Sequence, residues 1–293
     1  MNRRVAFLFP GQGSIPDSLP PMSSRTTSHY RSAEAEGLAI QGWIHDGNTA
    51  RLTMTDAAQP TILIDSLARE DALRANGVTP TATAGHSLGE FAALTVSGVL
   101  DPGDALALVI ERGRLMSTVP GAMAAIVKLD LATVRALCKD GSEDVVIANH
   151  NGERQVVVSG TEPAVERVIA ASEARGGRGI RLKVSGPFHS PFMEPARAAL
   201  AERVARLDLA EPSTPFFSGV SGRREWDVDR IRRLMQDQMT ACVRWVDVVE
   251  HLVEAGITHA IEVGTGATLT GLGRRITDRI EFITYEEATD GGL

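Results

Sequence analysis

A chain of 293 residues with 43% hydrophobic content is long enough for one large domain carrying a smaller one, and its composition is that of a globular protein. The formal net charge of −7 excludes a general nucleic-acid binder, because phosphate repulsion would go uncompensated. The apolar run after Met1-Asn2-Arg3-Arg4 stops at Pro10, too short for a signal-peptide core, and no later run is long enough to span a membrane. A cytoplasmic protein is expected, a monomer with neither nucleic acid nor membrane as partner. Cys138 and Cys242 lie far apart without metal-ligand spacing, so they read as inert thiols in a reducing compartment, and no metal site is expected.

Val5-Ala6-Phe7-Leu8-Phe9 is an apolar run of strand length bounded by Pro10-Gly11, which reads as a buried parallel strand. Gly11-Gln12-Gly13-Ser14 then makes a tight polar loop at the strand's C-terminal end, where open α/β sheets bind ligands. Residues 15–50 are weakly patterned and predict loops and short helices. A helix follows over 59–76, with Pro60 in its first turn and Asn76-Gly77 at its end. A short strand at 81–84 leads into Gly85-His86-Ser87-Leu88-Gly89. Small residues (Ala92, Ala93, Ser97, Gly98) suit the next helix to close packing, and Asp101 N-caps another over 105–116.

The following stretch changes rhythm. It predicts a strand at 122–129, a helix at 131–139 capped by Asp130, and a strand at 145–148. A hairpin turn at Asn151-Gly152 and a return strand at 155–159 follow, then a helix opened by Pro163 and a strand at 180–184. This β-α-β-β-α-β order is the split pattern of ferredoxin-like domains. Helices are expected over 191–207, 229–239, 247–255 and through Arg274 and Arg275, with strands at 214–220, 257–263 and 282–285. The fold class is therefore α/β: an α/β-hydrolase-like large domain with a mainly parallel sheet (1–118 and 190–293) and an inserted ferredoxin-like small domain (119–189).

Gly85-His86-Ser87-Leu88-Gly89 is a G-x-S-x-G pentapeptide between a strand and a helix, the pattern of a nucleophile elbow. The tight turn exposes Ser87 Oγ beside a helix N-terminus, whose free N–H groups suit an oxyanion. A serine nucleophile needs a base, and seven histidines are available. His86 adjoins the serine but points elsewhere on a tight turn. His29 and His45 fall in the weakly patterned segment, His150 beside the hairpin turn, and His251 and His259 inside elements. His189, in Ser185-Gly186-Pro187-Phe188-His189-Ser190-Pro191, stands in a rigid loop where the small domain returns to the large one, and it has a modest lead.

Taken together, the separated motifs carry a resemblance. Phe9-Pro10-Gly11-Gln12-Gly13-Ser14, Ala58-Gln59-Pro60, Gly85-His86-Ser87-Leu88-Gly89-Glu90, Glu111-Arg112-Gly113, Phe188-His189, Glu262-Val263-Gly264 and Leu269-Thr270-Gly271-Leu272 occur in the order of the malonyl-CoA:acyl carrier protein transacylase family. The sequence resembles that family over essentially its whole length. The resemblance implies Ser87 as nucleophile and His189 as base. It implies a main-chain carbonyl at Gln238, rather than a carboxylate, orienting the histidine. Gln12 and the backbone N–H of Leu88 match the oxyanion hole. Arg112 matches the residue that pairs with the free carboxylate of malonyl, a role suited to a planar guanidinium; on spacing alone it would read as an exposed helical charge. Leu88 and Phe188 match positions that go with malonyl rather than methylmalonyl, although one methyl is worth only about 1–3 kcal/mol.

The activity implied is transfer of malonyl from malonyl-CoA to the phosphopantetheine thiol of an acyl carrier protein, by a ping-pong route, in fatty-acid or polyketide synthesis. No bound cofactor is implied; the coenzyme A thioester is a substrate. Alternatives with the same core chemistry are the malonyl-transferring subunit of a malonate decarboxylase and a serine acyl hydrolase or thioesterase; a non-catalytic docking module is a third class. An acidic carrier would seek a basic patch: Arg175, Arg178, Arg181 and Lys183, or Arg274, Arg275 and Arg279. Two departures from the family concern the pocket rim. The segment after Ser14 reads Ile15-Pro16-Asp17-Ser18-Leu19-Pro20 and is short, and Thr265 stands where a proline is common.

Overall fold

The structure, a computed structural model, describes residues 3–139 and 143–292. In chain order the large layer begins with β1 (Val5–Phe9), α1 (Ser24–Ala35), α2 (Ile40–His45), α3 (Thr49–Leu52) and α4 (Thr55–Ala75). It continues with β2 (Ala82–Gly85), α5 (Gly89–Val96) and α6 (Pro102–Ser117). A second unit holds β3 (Ala122–Val127), α7 (Leu131–Lys139), β4 (Val145–Gly152), β5 (Gln155–Gly160), α8 (Glu162–Glu173) and β6 (Arg178–Arg181). The chain then returns through α9 (Glu194–Ala205), β7 (Phe216–Phe217), β8 (Arg224–Glu225), α10 (Val228–Asp237), α11 (Trp245–Glu254), β9 (His259–Glu262), α12 (Thr268–Ile276) and β10 (Glu281–Thr284).

The large sheet runs β10-β9-β1-β2-β7-β8, parallel throughout except for the last pair. Its middle strands are apolar and wholly buried, as strands covered on both faces must be. After β1 the chain continues to β2 on one side, while β9 occupies the other. The carboxyl ends of these three strands therefore surround a topological switch point, where α/β sheets open a crevice.

The second sheet is antiparallel, in the order β4-β5-β3-β6, which is the ferredoxin-like arrangement. Strand alternation divides β3 between two cores. Ala122, Ala124 and Ile126 pack with α7 and α8, whereas Met123 and Ala125 join the core of the large layer. Main-chain bonds also tie the two layers: Val243 N–H donates to Ala148 O and His150 N–H to Val243 O, both at 2.8 Å.

Three sequence expectations shift. The helix expected at 59–76 begins a turn earlier, at Thr55, so Pro60 sits in its second turn rather than its first. Asp56 in the first turn favours that start, and Arg51 holds its carboxylate through two bonds of 2.8 Å. The hairpin turns at Glu153-Arg154, not at Asn151-Gly152, because two bulges in β4 carry the strand further and Gly152 pairs with Gln155. The strand expected at 214–220 shrinks to Phe216–Phe217 and is followed by an edge strand, β8, that the pattern did not show.

The Thr265 departure has a structural account. Thr265 N–H and Oγ1–H both donate to Asp65 Oδ2 at 3.1 Å, an arrangement a proline could not complete. Asp65 in turn receives Arg69 Nε at 2.9 Å, and Arg69 reaches Glu286 and lies over the Tyr285 ring. This buried cluster ties α4 to the loop after β9, which borders the crevice. Asp65→Ala leaves the guanidinium with only its outer partners, and urea unfolding is expected to show a loss of about 3 kcal/mol.

Candidate active site

Ser87 sits between β2 and α5 with φ 52°, in the left-handed region that a side chain rarely adopts. The turn closes because the residues two positions to either side, Gly85 and Gly89, lack Cβ atoms. One added at Gly85 would lie 2.1 Å from the Gly89 carbonyl, and one at Gly89 would lie 2.0 Å from the Phe9 oxygen. The second contact explains why β1 and the elbow are inseparable: Phe9 pairs with Gly85 in register, and His86 N–H donates to Phe9 O.

His189 meets this serine from the far end of the chain. Ser87 Oγ–H donates to His189 Nε2 at 2.7 Å. His189 Nδ1–H donates to the main-chain oxygens of Gln238 at 3.1 Å and Ala241 at 3.0 Å. Two acceptors that cannot donate fix the tautomer, leaving Nε2 free to take a proton. The carbonyl expected at Gln238 is in place, and that of Ala241 shares the task. His189 also has a positive φ, 57°, so both members of the pair are held in strained backbone. Among the described residues no carboxylate bonds to this histidine.

Arg112 comes from α6 and is 1% exposed, not the surface charge that helical spacing alone suggests. Its Nη1 donates to Gln59 Oε1 at 2.7 Å, and its Nη2 to Gln238 Oε1 at 3.0 Å; Nη2 also lies 3.4 Å from Ser87 Oγ. Nε is buried with no partner. The guanidinium lies over the Phe91 ring at 5.5 Å. Burial lowers its pKa to about 10, against the opposing field of Glu90.

These groups open on a cleft of about 220 Å³ between the large sheet's carboxyl edge and the small sheet. Ser87, His189, Arg112, Gln12, Leu88 and Phe188 all line it. The structure thus brings together the predicted site residues, with Gln238 directly behind. The Gln12 side chain donates to Thr55 Oγ1 at 3.1 Å at the edge of the cleft it helps to line. Of the seven histidines only His86 and His189 reach the cleft. His86 is anchored by donating to Asn151 Oδ1 at 2.8 Å, with its ring edge-on to Trp245.

Burial, the Arg112 charge and His86 together lower the His189 pKa to about 3. The ring is therefore neutral, the state a general base requires, far below its ordinary titration range.

Several functional contacts had no role in the sequence reading. Gln59 is a polar residue at 0% exposure in an otherwise apolar stretch of α4, and that mismatch was its signal. Asn151 carries the signature of a turn residue in the sequence, and in the structure it lies in β4 and bonds to His86. Ala241 contributes only its backbone and leaves no sequence mark. The basic clusters differ from expectation: Arg181 is taken up by Glu162 and Glu166, and Arg274 by Phe282 O and Glu287. Arg275 instead reaches Gln155, a residue of the cleft lining.

The class that this fold and site define is the acyl transferase domain, and the family model so described matches residues 25–284. The chain is 36% identical over 297 residues to the malonyl CoA-acyl carrier protein transacylase of Escherichia coli, covering 97% of this chain and 96% of that one. It is 34% identical to the Bacillus subtilis transacylase of the same name, covering 97% and 94%. A malonyl-CoA:acyl carrier protein transacylase structure from Xanthomonas oryzae superposes with a TM-score of 0.91 at 32% identity over 99% and 98% of the two chains. A chain in the structure of a type II PKS acyl-carrier protein in complex with its malonyl-transacylase superposes with 0.90 at 31% identity over 98% and 99%. The chain belongs to the malonyl-CoA:acyl carrier protein transacylase family.

An imidazole with so low a pKa predicts a distinctive pH profile. Covalent modification of Ser87 by a sulfonyl fluoride is expected to show no inflection near 6.5 between pH 5 and 8, because the His189 pKa lies at about 3. A drop in rate centred near 6.5 would contradict the buried, neutral imidazole.

Proposed function

We propose that this chain is an [acyl-carrier-protein] S-malonyltransferase, moving malonyl from malonyl-CoA to a carrier's phosphopantetheine thiol in fatty-acid or polyketide synthesis. The observation that carries the reading is a buried, under-coordinated guanidinium 3.4 Å from a serine already bonded to its base.

In the first half-reaction Ser87 Oγ attacks the thioester carbonyl while His189 Nε2 takes the hydroxyl proton. The N–H groups of Leu88 and Gln12 meet the oxyanion; such donors are worth about 10²–10³ in rate. Leu88 is the N-cap residue of α5, so its N–H has no intrahelical acceptor. The C–S bond then breaks, and His189 returns its proton to the coenzyme A sulfur. In the second half-reaction His189 takes the proton of the carrier thiol, the sulfur attacks the Ser87 ester carbonyl, the C–Oγ bond breaks, and the proton passes back to Oγ. Coenzyme A enters and leaves as part of a substrate, and no resident cofactor is required.

The charged acyl group assists its own transfer. Arg112 disfavours an imidazolium at His189. A malonyl carboxylate on Arg112 cancels part of that field and makes the histidine a better base as the substrate arrives. Leu88 and Phe188 line the cleft as the expected acyl filter, with apolar walls from Met123, Ala125 and Val157. A hydrolase of neutral esters has no use for a buried cation at this position.

Arg112→Ala is expected to lower kcat/KM for malonyl transfer by about 2–4 kcal/mol of transition-state binding, and acetyl transfer far less. Equal losses with malonyl-CoA and acetyl-CoA would remove Arg112 from carboxylate recognition.

A further inference from the structure

Outside the cleft lining lies a buried carboxylate that the reaction does not use. Glu90 is the second residue of α5, 4% exposed, in a helix otherwise of small and apolar residues. Its Oε1 accepts from Ser218 Oγ at 2.6 Å, and its Oε2 from Gln238 Nε2 at 2.8 Å. The same Gln238 amide donates through Nε2 to the Ser87 carbonyl at 3.0 Å and accepts through Oε1 from Arg112 at 3.0 Å. One side chain therefore touches the nucleophile's backbone, the cation and the carboxylate, while its main-chain oxygen holds His189.

A planar amide has a donor end and an acceptor end, and its two orientations are not interchangeable. A carboxylate and a carbonyl can only accept; a guanidinium can only donate. Glu90 and the Ser87 carbonyl together claim both protons of the Gln238 NH₂ group. The oxygen end is then fixed on Arg112. Without Glu90 one of those protons is stranded, and a buried amide with an unmet donor is free to shift. Burial raises the Glu90 pKa, the bonds from Ser218 and Gln238 and the Arg112 charge oppose that rise, and the carboxyl group stands off Arg112 by one intervening side chain. A carboxylate in direct contact would occupy the guanidinium edge where an acyl carboxylate must bind. The unpartnered Nε of Arg112 fits this arrangement.

The geometry points to Glu90 as a positioning residue for acyl selectivity: acting through the Gln238 amide, it sets Arg112 and the Ser87 carbonyl while leaving the guanidinium edge open to a substrate carboxylate. This inference rests on the reading of Arg112 as the carboxylate anchor.

The test is Glu90→Leu in the full chain, assayed for malonyl and acetyl transfer to the same carrier. Malonyl kcat/KM is expected to fall by about tenfold or more and acetyl by less than about threefold, since only malonyl uses Arg112. Glu90→Gln keeps an acceptor for the Gln238 NH₂ group and is expected to restore the malonyl-to-acetyl ratio to within about threefold of the parent. Equal falls for both donors, or an unchanged ratio, would overturn the proposal. Should Glu90→Leu fail to fold, the double variant Glu90→Leu/Gln238→Leu leaves neither a buried carboxylate nor an amide stranded. Its ratio is expected to match that of Gln238→Leu alone within about threefold, because coupled residues are not additive. A further drop would show that Glu90 acts by another route and overturn the proposal. Equal donor losses in Arg112→Ala would bring down the anchor reading and this inference with it. Selective loss there with equal loss in Glu90→Leu would remove the Glu90 inference alone.

Discussion

Two main-chain oxygens, those of Gln238 and Ala241, receive the Nδ1 proton of His189, and the rest of the site depends on where they stand. They lie just after α10, on a segment that is pinned twice. The Gln238 side chain fixes it to the Ser87 carbonyl and to Glu90, and Val243 fixes it to β4 of the small sheet. His189 is thereby held in register with Ser87 from one side and with the opposite wall of the cleft from the other. A neutral carbonyl pair orients an imidazole as firmly as a carboxylate would, but it adds little to stabilise the imidazolium. The low pKa of His189 comes from burial, the Arg112 charge and His86, which the two carbonyls only partly offset.

That choice suits a site with a permanent cation in it. An aspartate behind His189 would stand in the same low-dielectric pocket as Arg112 and compete with the substrate for it. With carbonyls instead, Glu90 is set back behind Gln238, and under the proposed function the charge of Arg112 is left to be met by the acyl group. Strain concentrates at the same place: Ser87 and His189 both occupy left-handed backbone, and the close approach of Gly85, Gly89 and Phe9 holds the first of them.

The sequence made the α/β class and the split β-α-β-β-α-β pattern of the second sheet legible because strand and helix periodicities are strong in buried elements. The elbow was legible because the turn around Ser87 requires glycine two positions to either side, at Gly85 and Gly89. Arg112 was not legible from its spacing, since nothing in a helical register announces that one charged side chain is buried; its placement came from the resemblance of Glu111-Arg112-Gly113. Asn151 was misread because Asn-Gly is a turn signal, and the bulges of β4 that displace the turn have no such signature. Ala241 could not be found at all, because a backbone carbonyl is common to every residue. Glu90 stood in a quoted motif, yet its partners lie on segments more than a hundred residues away, and only the fold brings them together.

The central claim is that Ser87 carries the acyl group between donor and acceptor. Brief incubation with malonyl-CoA in the absence of carrier, followed by proteolysis and mass spectrometry, tests it most directly. The account predicts one malonyl group as an ester on the peptide containing Ser87, discharged when the carrier's thiol is added. An adduct on another residue, or full transfer activity with no adduct on Ser87, would contradict it.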